Sequence, residues 1–403
     1  MTHSLKNDKS KFFLKNKLFE GVTSIKYVNR PLMTWATKFS KFSSEAIKSN
    51  NKWVSEEDIL GIFYKEYIAS FSKDFDINAC RLPLTEILGS SEIDDLCLRV
   101  VSALAEIPNE YEIIFPAPRL SPIELGFKPN VSIKPEVKSN FSDGLIYCST
   151  INVRSNGYAA TSRNQSAIRE ATLYLKVFFS LGLLYDFFRR RQTYHLNDLT
   201  DHIANTKIEK MQYARIRKIS SPDLEPLHAP LGSGFSKLLN EVYFRNDIDS
   251  ASFKLSYDKF FKLFELIYEK DADDNVKSIR NALFWLFDAQ TDDDETSRFI
   301  KTCIGLEAAI SEQMEGVGIT EQLADRAAFL LRKTPKGREE TRMTMREIYR
   351  LRSKIVHGNI SGLSHSDLRT SENASLILNS IITLELDAIY AWWGDYQKKI
   401  AGI

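Results

Sequence analysis

EIYRLRSKIVHGN, Glu347 to Asn359, reads as the last turns of an amphipathic helix that stops at a glycine. Taken with the residues just before it, the segment places Met345, Ile348, Tyr349, Ile355 and Val356 on one apolar stripe at about 100° per residue. Arg352 falls near the middle of that stripe, and His357 sits on the final turn. An unpaired guanidinium buried there costs roughly several kcal/mol, so the fold must supply a partner or a cavity.

An earlier helix, RFIKTCIGLEAAIS, offers the partner. Its apolar arc holds Ile300, Cys303, Ile304, Leu306 and Ile310, and Glu307 lies inside the arc. Two core-facing opposite charges on two helices of one bundle predict either a salt bridge that fixes helix register or a polar pair kept for chemistry. Arg342, Arg346, Arg350 and Lys354 recur every four residues, and His357 continues the row. Such a ridge is either a solvated helix face or a cationic track for a phosphodiester.

Working outward, the chain after Ser236 reads as helical to its end: FKLFELIYEK, NVKSIRNALFWLF, ETSRFIKTCIGLEAAIS, EQLADRAAFLL, MTMREIYRLRSKIVH and ASLILNSIITLELDAIYAWW. Short connections favour antiparallel neighbours, hence a bundle. Before it, VSEEDILGIFYKEYIASF opens on Ser55 as an N-cap followed by three acids, and SSEIDDLCLRVVSALAEI repeats that grammar. Pro116, Pro118, Pro122, Pro129 and Pro135 then punctuate β-like runs, YEIIF, NVSIKPEV and LIYCSTINV, which predict a small sheet with proline at edges and turns. Helix resumes near Gln165 and runs through FFSLGLLYDFF. KISSPDLEPLHAPLGSGFS, Lys218 to Ser236, with three prolines and two glycines, reads as an interdomain linker. The expected organisation is therefore an α+β N-terminal region, residues 1–217, a linker, 218–236, and an all-α domain, 237–403.

Composition narrows the function classes. A net charge of +1 means that any nucleic-acid site must come from local segregation of Lys and Arg. Cys80, Cys97, Cys148 and Cys303 form no C-x-x-C pair, which fits a reducing cytoplasm better than a disulfide framework or a zinc site. MTHSLKNDKSKFF lacks a signal-peptide core, and the apolar run from Leu173 carries Lys176 and Asp186, as a buried helix rather than a membrane span does. DADDN, from Asp271, begins like an EF-hand, but Val276 and Ala282 replace the glycine and glutamate that a calcium loop needs. TDDDET, Thr291 to Thr296, reads as acids at a helix N-terminus. His195, His202, His228 and His365 lie on separate segments without metal-ligand spacing, so neither metal nor cofactor is expected. Arg189 to Arg191 read as a basic helix C-terminus, with nucleic-acid contact as the alternative.

IYRLRSKIVHG, preceded about forty-five residues earlier by CIGLEAAIS with LADRAAFLL between them, resembles the Apea-like branch of the HEPN superfamily, over roughly Phe260 to Trp393. The signature there is an arginine, four to six residues, then a histidine; here Arg352 and His357 enclose four residues, and Arg350 and His357 enclose six. The resemblance implies an all-α bundle that pairs with a second copy around a cleft. Many members are metal-independent endoribonucleases of bacterial toxin and anti-phage systems, and some are non-catalytic binding modules. Carried onto this chain, His357 is the acid/base group, Arg352 the phosphate stabiliser and Glu307 its polar partner, with Asn359 in support and Arg342, Arg346, Arg350 and Lys354 as RNA contacts. The implied partners are RNA and a second copy, with no membrane, and the N-terminal part is expected to sense a phage-derived or cellular trigger.

Geometry sets a condition on that reading. On an ideal helix Arg352 and His357 stand about 140° and 7.5 Å of rise apart, whereas Arg350 and His357 differ by about 20° and 10.5 Å. Either the helix loosens at Gly358 or the arginine's length closes the gap.

Overall fold

The computed structural model describes residues 8–23, 40–50, 53–69, 85, 88–118, 120–140, 144–160, 165–190, 213–245, 248–269, 272–310 and 319–401. Four helices come first: α1 (Asp8–Thr23), α2 (Ser40–Asn50), α3 (Glu56–Ala69) and α4 (Ser90–Ala105). Ser55 caps α3 as its sequence predicts, accepting from the Asp58 N–H at 3.2 Å while its own N–H donates to Asp58 Oδ2 at 2.9 Å. Leu14, Leu18 and Val22 recur on one face of α1 and are buried in a core with Ile59 and Phe63 of α3 and Ile93, Leu96 and Val100 of α4.

Strands follow: β1 (Asn109–Ala117), β2 (Leu125–Phe127), β3 (Val131–Asn140) and β4 (Gly144–Gly157). In β3 and β4, antiparallel register sets buried Val131 opposite Val153 and Ile133 opposite Ile151. Pro135 lies inside β3 rather than at a turn, as does Pro116 in β1. β2 pairs only with residues 131–133, so β3 has lost that outer neighbour by Pro135, where a missing N–H is tolerated.

Helix α5 (Ser166–Leu184) carries the apolar run, but ends sooner than its sequence predicts. Asp186 adopts a φ of 56°, and Phe188–Arg190 form β5, paired with β8 (Val242–Phe244). The reason is close packing. A side chain at Gly182 would collide with the Phe188 ring, which turns back onto α5 among Phe178, Phe179 and Phe260. The basic run after Phe188 is therefore not a helix C-terminus over its described residues, Arg189 and Arg190. Arg190 bridges Glu241 at 2.7 Å and donates to the Gln290 carbonyl at 2.6 Å.

The expected linker is folded. It contains β7 (Leu227–Pro230), after β6 (Tyr213–Lys218), and the start of α6 (Ser233–Glu241). The strand order is β2-β3-β4-β1-β6-β7. Pro and Gly mark short connections as readily as domain boundaries, and here they mark the former. The chain divides instead into one compact unit of Met1–Ile113, Arg154–Ala171 and Arg215–Pro230, and another of Ile114–Val153, Thr172–Ala214 and Leu231–Ile403, through β1, β4, α5 and β6.

The stretch expected to be all helical from residue 237 is first interrupted by β8, which pairs with β5; beyond β8 the described residues are helical as expected: α7 (Ala251–Ile267), α8 (Asp274–Gln290), α9 (Glu295–Ile310), α10 (Ile319–Leu331), α11 (Pro335–Val356) and α12 (Leu368–Ala401). The acids before α9 act as the sequence predicts, with Asp294 Oδ1 accepting from the Ser297 N–H at 2.7 Å. Helix α12, 34 residues and about 50 Å long, packs against each of α7 to α11 and is the spine of the array. Residues His365–Tyr396 also have the length and apolar content of a membrane span, with a third of the apolar 18-residue window within them buried inside the protein. The architecture is α+β, with a small sheet and a C-terminal helical region.

Candidate active site

Helix α11 opens on Thr334, whose hydroxyl accepts from the Gly337 N–H at 3.2 Å, with Pro335 in the first turn. It buries Thr341, Met345, Ile348, Tyr349 and Leu351. The stripe fades in the last turn, since Val356 is 53% exposed. The helix does not loosen before its end. The His357 N–H donates to the Ser353 carbonyl at 3.0 Å, Gly358 takes φ +72°, and the Asn359 and Gly358 N–H groups return to the carbonyls of Lys354 (2.8 Å) and Ile355 (3.0 Å). That is a Schellman stop, which needs the left-handed residue glycine supplies.

Arg352 reaches α9. Its Nη2 lies 3.1 Å from Glu307 Oε1, with side chains 31% and 22% exposed, while its buried Nε has no hydrogen-bond partner. Burial pushes the Glu307 carboxyl above the ordinary glutamate value, and the neighbouring guanidinium offsets only part of that rise. Beneath the pair lie Tyr349 and Cys303. The Tyr349 hydroxyl donates to the Cys303 carbonyl at 3.5 Å, and burial pushes the Cys303 thiol up to about 12, which makes it an inert packing group.

The basic ridge is not uniform. Arg342 donates to Asp325 Oδ1 at 2.5 Å and to Glu339 at 3.3 Å. Arg346 meets both Glu321 oxygens, at 2.9 and 2.8 Å, and lies 3.6 Å from Glu339. These two arginines, expected to contact RNA, are thus occupied by helix α10. The signal was present in the sequence: acids at Glu321 and Asp325 are spaced by four, like the arginines they face in antiparallel register. The Arg350 and Lys354 side chains are exposed and, among the described residues, have no side-chain hydrogen bond or ion pair. His357 and Asn359 are exposed as well. With the helix regular to His357, Arg350 and His357 share one side, about 20° apart, while Arg352 lies on the other with Glu307. One copy therefore brings together Arg352 with Glu307 and, separately, aligns Arg350 with His357.

Among the described residues no group of three or more His, Cys, Asp or Glu side chains is arranged to hold a metal ion. No family model, curated protein or solved structure matches the chain.

Proposed function

We propose that the protein is a metal-independent endoribonuclease with a HEPN-like C-terminal bundle, its site completed by a second copy, acting as a toxin or anti-phage effector under a trigger sensed by its N-terminal region. The observation that carries this reading is the Schellman-capped end of α11, which presents His357 to solvent in line with unpaired Arg350.

The chemistry follows from the groups available. A base removes the proton from a ribose 2′-hydroxyl, a bond forms from that oxygen to the adjacent phosphorus, and the bond to the 5′-oxygen breaks as an acid protonates it. The products are a 2′,3′-cyclic phosphate and a 5′-hydroxyl. Histidine suits either proton transfer near neutral pH. Arg350 stabilises the developing phosphorane charge through its fork of donors. Arg352, engaged with Glu307, orders the helix that carries both. The signature contributes one histidine per chain, so a two-fold pairing supplies acid and base together.

The second reading rests on the Arg352–Glu307 contact itself: the bundle is a non-catalytic binding or regulatory module in which that pair only fixes helix register. Incubating the full chain with RNA in chelator separates the two. The nuclease reading expects cyclic-phosphate products that His357→Ala abolishes without lowering the unfolding midpoint; the register reading expects no products from the wild type, with Arg352→Ala loosening the fold and His357→Ala leaving it unchanged.

A further inference from the structure

The cations of the α11–α12 corner differ from those earlier on α11. Arg342 and Arg346 are neutralised by Asp325 and Glu321 of α10 and by Glu339 of α11 itself. Past them Arg350 and Lys354 stand exposed one turn apart, about 6 Å of rise.

The start of α12 folds back beside them. The Thr370 hydroxyl donates to Glu347 Oε1 at 3.4 Å, and Lys354 helps hold the Asp367 carboxyl low, after its hydrogen bonds from Ser364. Two more basic side chains are thereby brought to the same corner, His365 and Arg369. Both are exposed, and among the described residues neither side chain makes a hydrogen bond or an ion pair. The acids at the corner, Asp367 and Glu347, keep their charge but, among the described residues, form no ion pair with these basic side chains. Asp367 accepts from the Ser364 N–H at 2.9 Å and hydroxyl at 2.5 Å, and Glu347 accepts from Thr370.

We infer that a single RNA strand runs through this corner, its phosphates met by Arg350 and Lys354 from α11 and by His365 and Arg369 from the start of α12, and that the Arg342–Arg346 half of the ridge takes no part. The inference rests on the reading that RNA is the substrate. A single strand fits because the 2′-oxygen must swing into line with the leaving 5′-oxygen, which a stacked duplex resists, and because cations on two elements can flank one backbone. Each phosphate contact releases counterions, so its loss shows in the salt dependence of binding.

The experiment measures binding of the full-length protein to a fluorescent 2′-O-methyl oligoribonucleotide, which cannot be cleaved, across a salt series. Arg350→Gln and Arg369→Gln each weaken binding several-fold and lower the slope of log K against log salt by about 0.7. Arg342→Gln and Arg346→Gln leave the slope unchanged. Slopes insensitive at Arg350 and Arg369, or lowered at Arg342 and Arg346, overturn the inference. Charge reversal, Arg369→Glu, with circular dichroism of each variant, guards against a misfolded sample. If the protein binds with the expected pattern but cleaves no natural RNA, the corner stands and the nuclease reading falls; if it cleaves while Arg350 and Arg369 are silent, the corner falls and the nuclease reading stands.

Discussion

Arg352 Nη2 lies 3.1 Å from Glu307 Oε1, so the arginine nearest the histidine in the signature is tied to a neighbouring helix while His357 faces solvent. Both side chains are under a third exposed, which makes the pair worth more than a surface ion pair and less than a fully buried one. Arg352→Ala and Glu307→Ala each lower unfolding free energy by about 1–2 kcal/mol, and the double variant loses less than their sum. Urea unfolding of the four proteins reads the coupling; strict additivity would sink the claim that the two side chains interact. Burial raises the Glu307 carboxyl, so in Arg352→Ala the folded state takes up a proton before the unfolded one as pH falls, and the deficit shrinks on acidification.

Acid lability has a separate source. Asp292 accepts hydrogen bonds from Lys301 and from the Ser297 hydroxyl (2.6 Å), which hold its carboxyl at about 2. A carboxyl held low in the fold adds stability above the ordinary aspartate value and loses it as pH falls from about 4 towards about 2. Asp292→Asn removes at most about 2 kcal/mol of that pH-dependent loss. Thermal melts at pH values spanning that window check it, and an unaltered acid profile in the variant contradicts the assignment.

The helical region was legible from residue spacing alone. The six expected helices form, Ser55 caps its helix, and Glu307 was identified as the partner of Arg352 from the apolar arcs of two segments. Less legible were features fixed by contacts distant in sequence. Nothing in FFSLGLLYDFF announces that Phe188 must pack on Gly182, so a strand read as helix. The Arg342 and Arg346 partners were legible in principle, through matching four-residue spacings on two helices, but only to a reader who already pairs α10 with α11. Val356 falls on the apolar stripe by spacing yet is exposed, because it is the last residue of the helix, where the bundle no longer covers it.

The Gly182 contact gives a direct test of the aromatic core. Gly182→Ala places a methyl group into the Phe188 ring and lowers stability by about 1–3 kcal/mol, read by denaturant unfolding. An unchanged midpoint would mean that β5 does not pack there.

Gly358 tests the helix end. At φ +72° an alanine costs about 1 kcal/mol, and relaxing that strain unwinds the turn that sets the direction of His357. Gly358→Ala therefore lowers RNA cleavage more than its small loss of melting temperature accounts for, whereas Gly358→Asn, better suited to a left-handed backbone, retains more activity.

The most direct test of the account as a whole is cleavage of RNA by the purified full-length protein in excess chelator, with products resolved by end-group analysis. The wild type is expected to yield fragments ending in 2′,3′-cyclic phosphate and beginning with 5′-hydroxyl, which folded His357→Ala does not produce. Intact RNA with the wild type, or equal cleavage by His357→Ala, would contradict it.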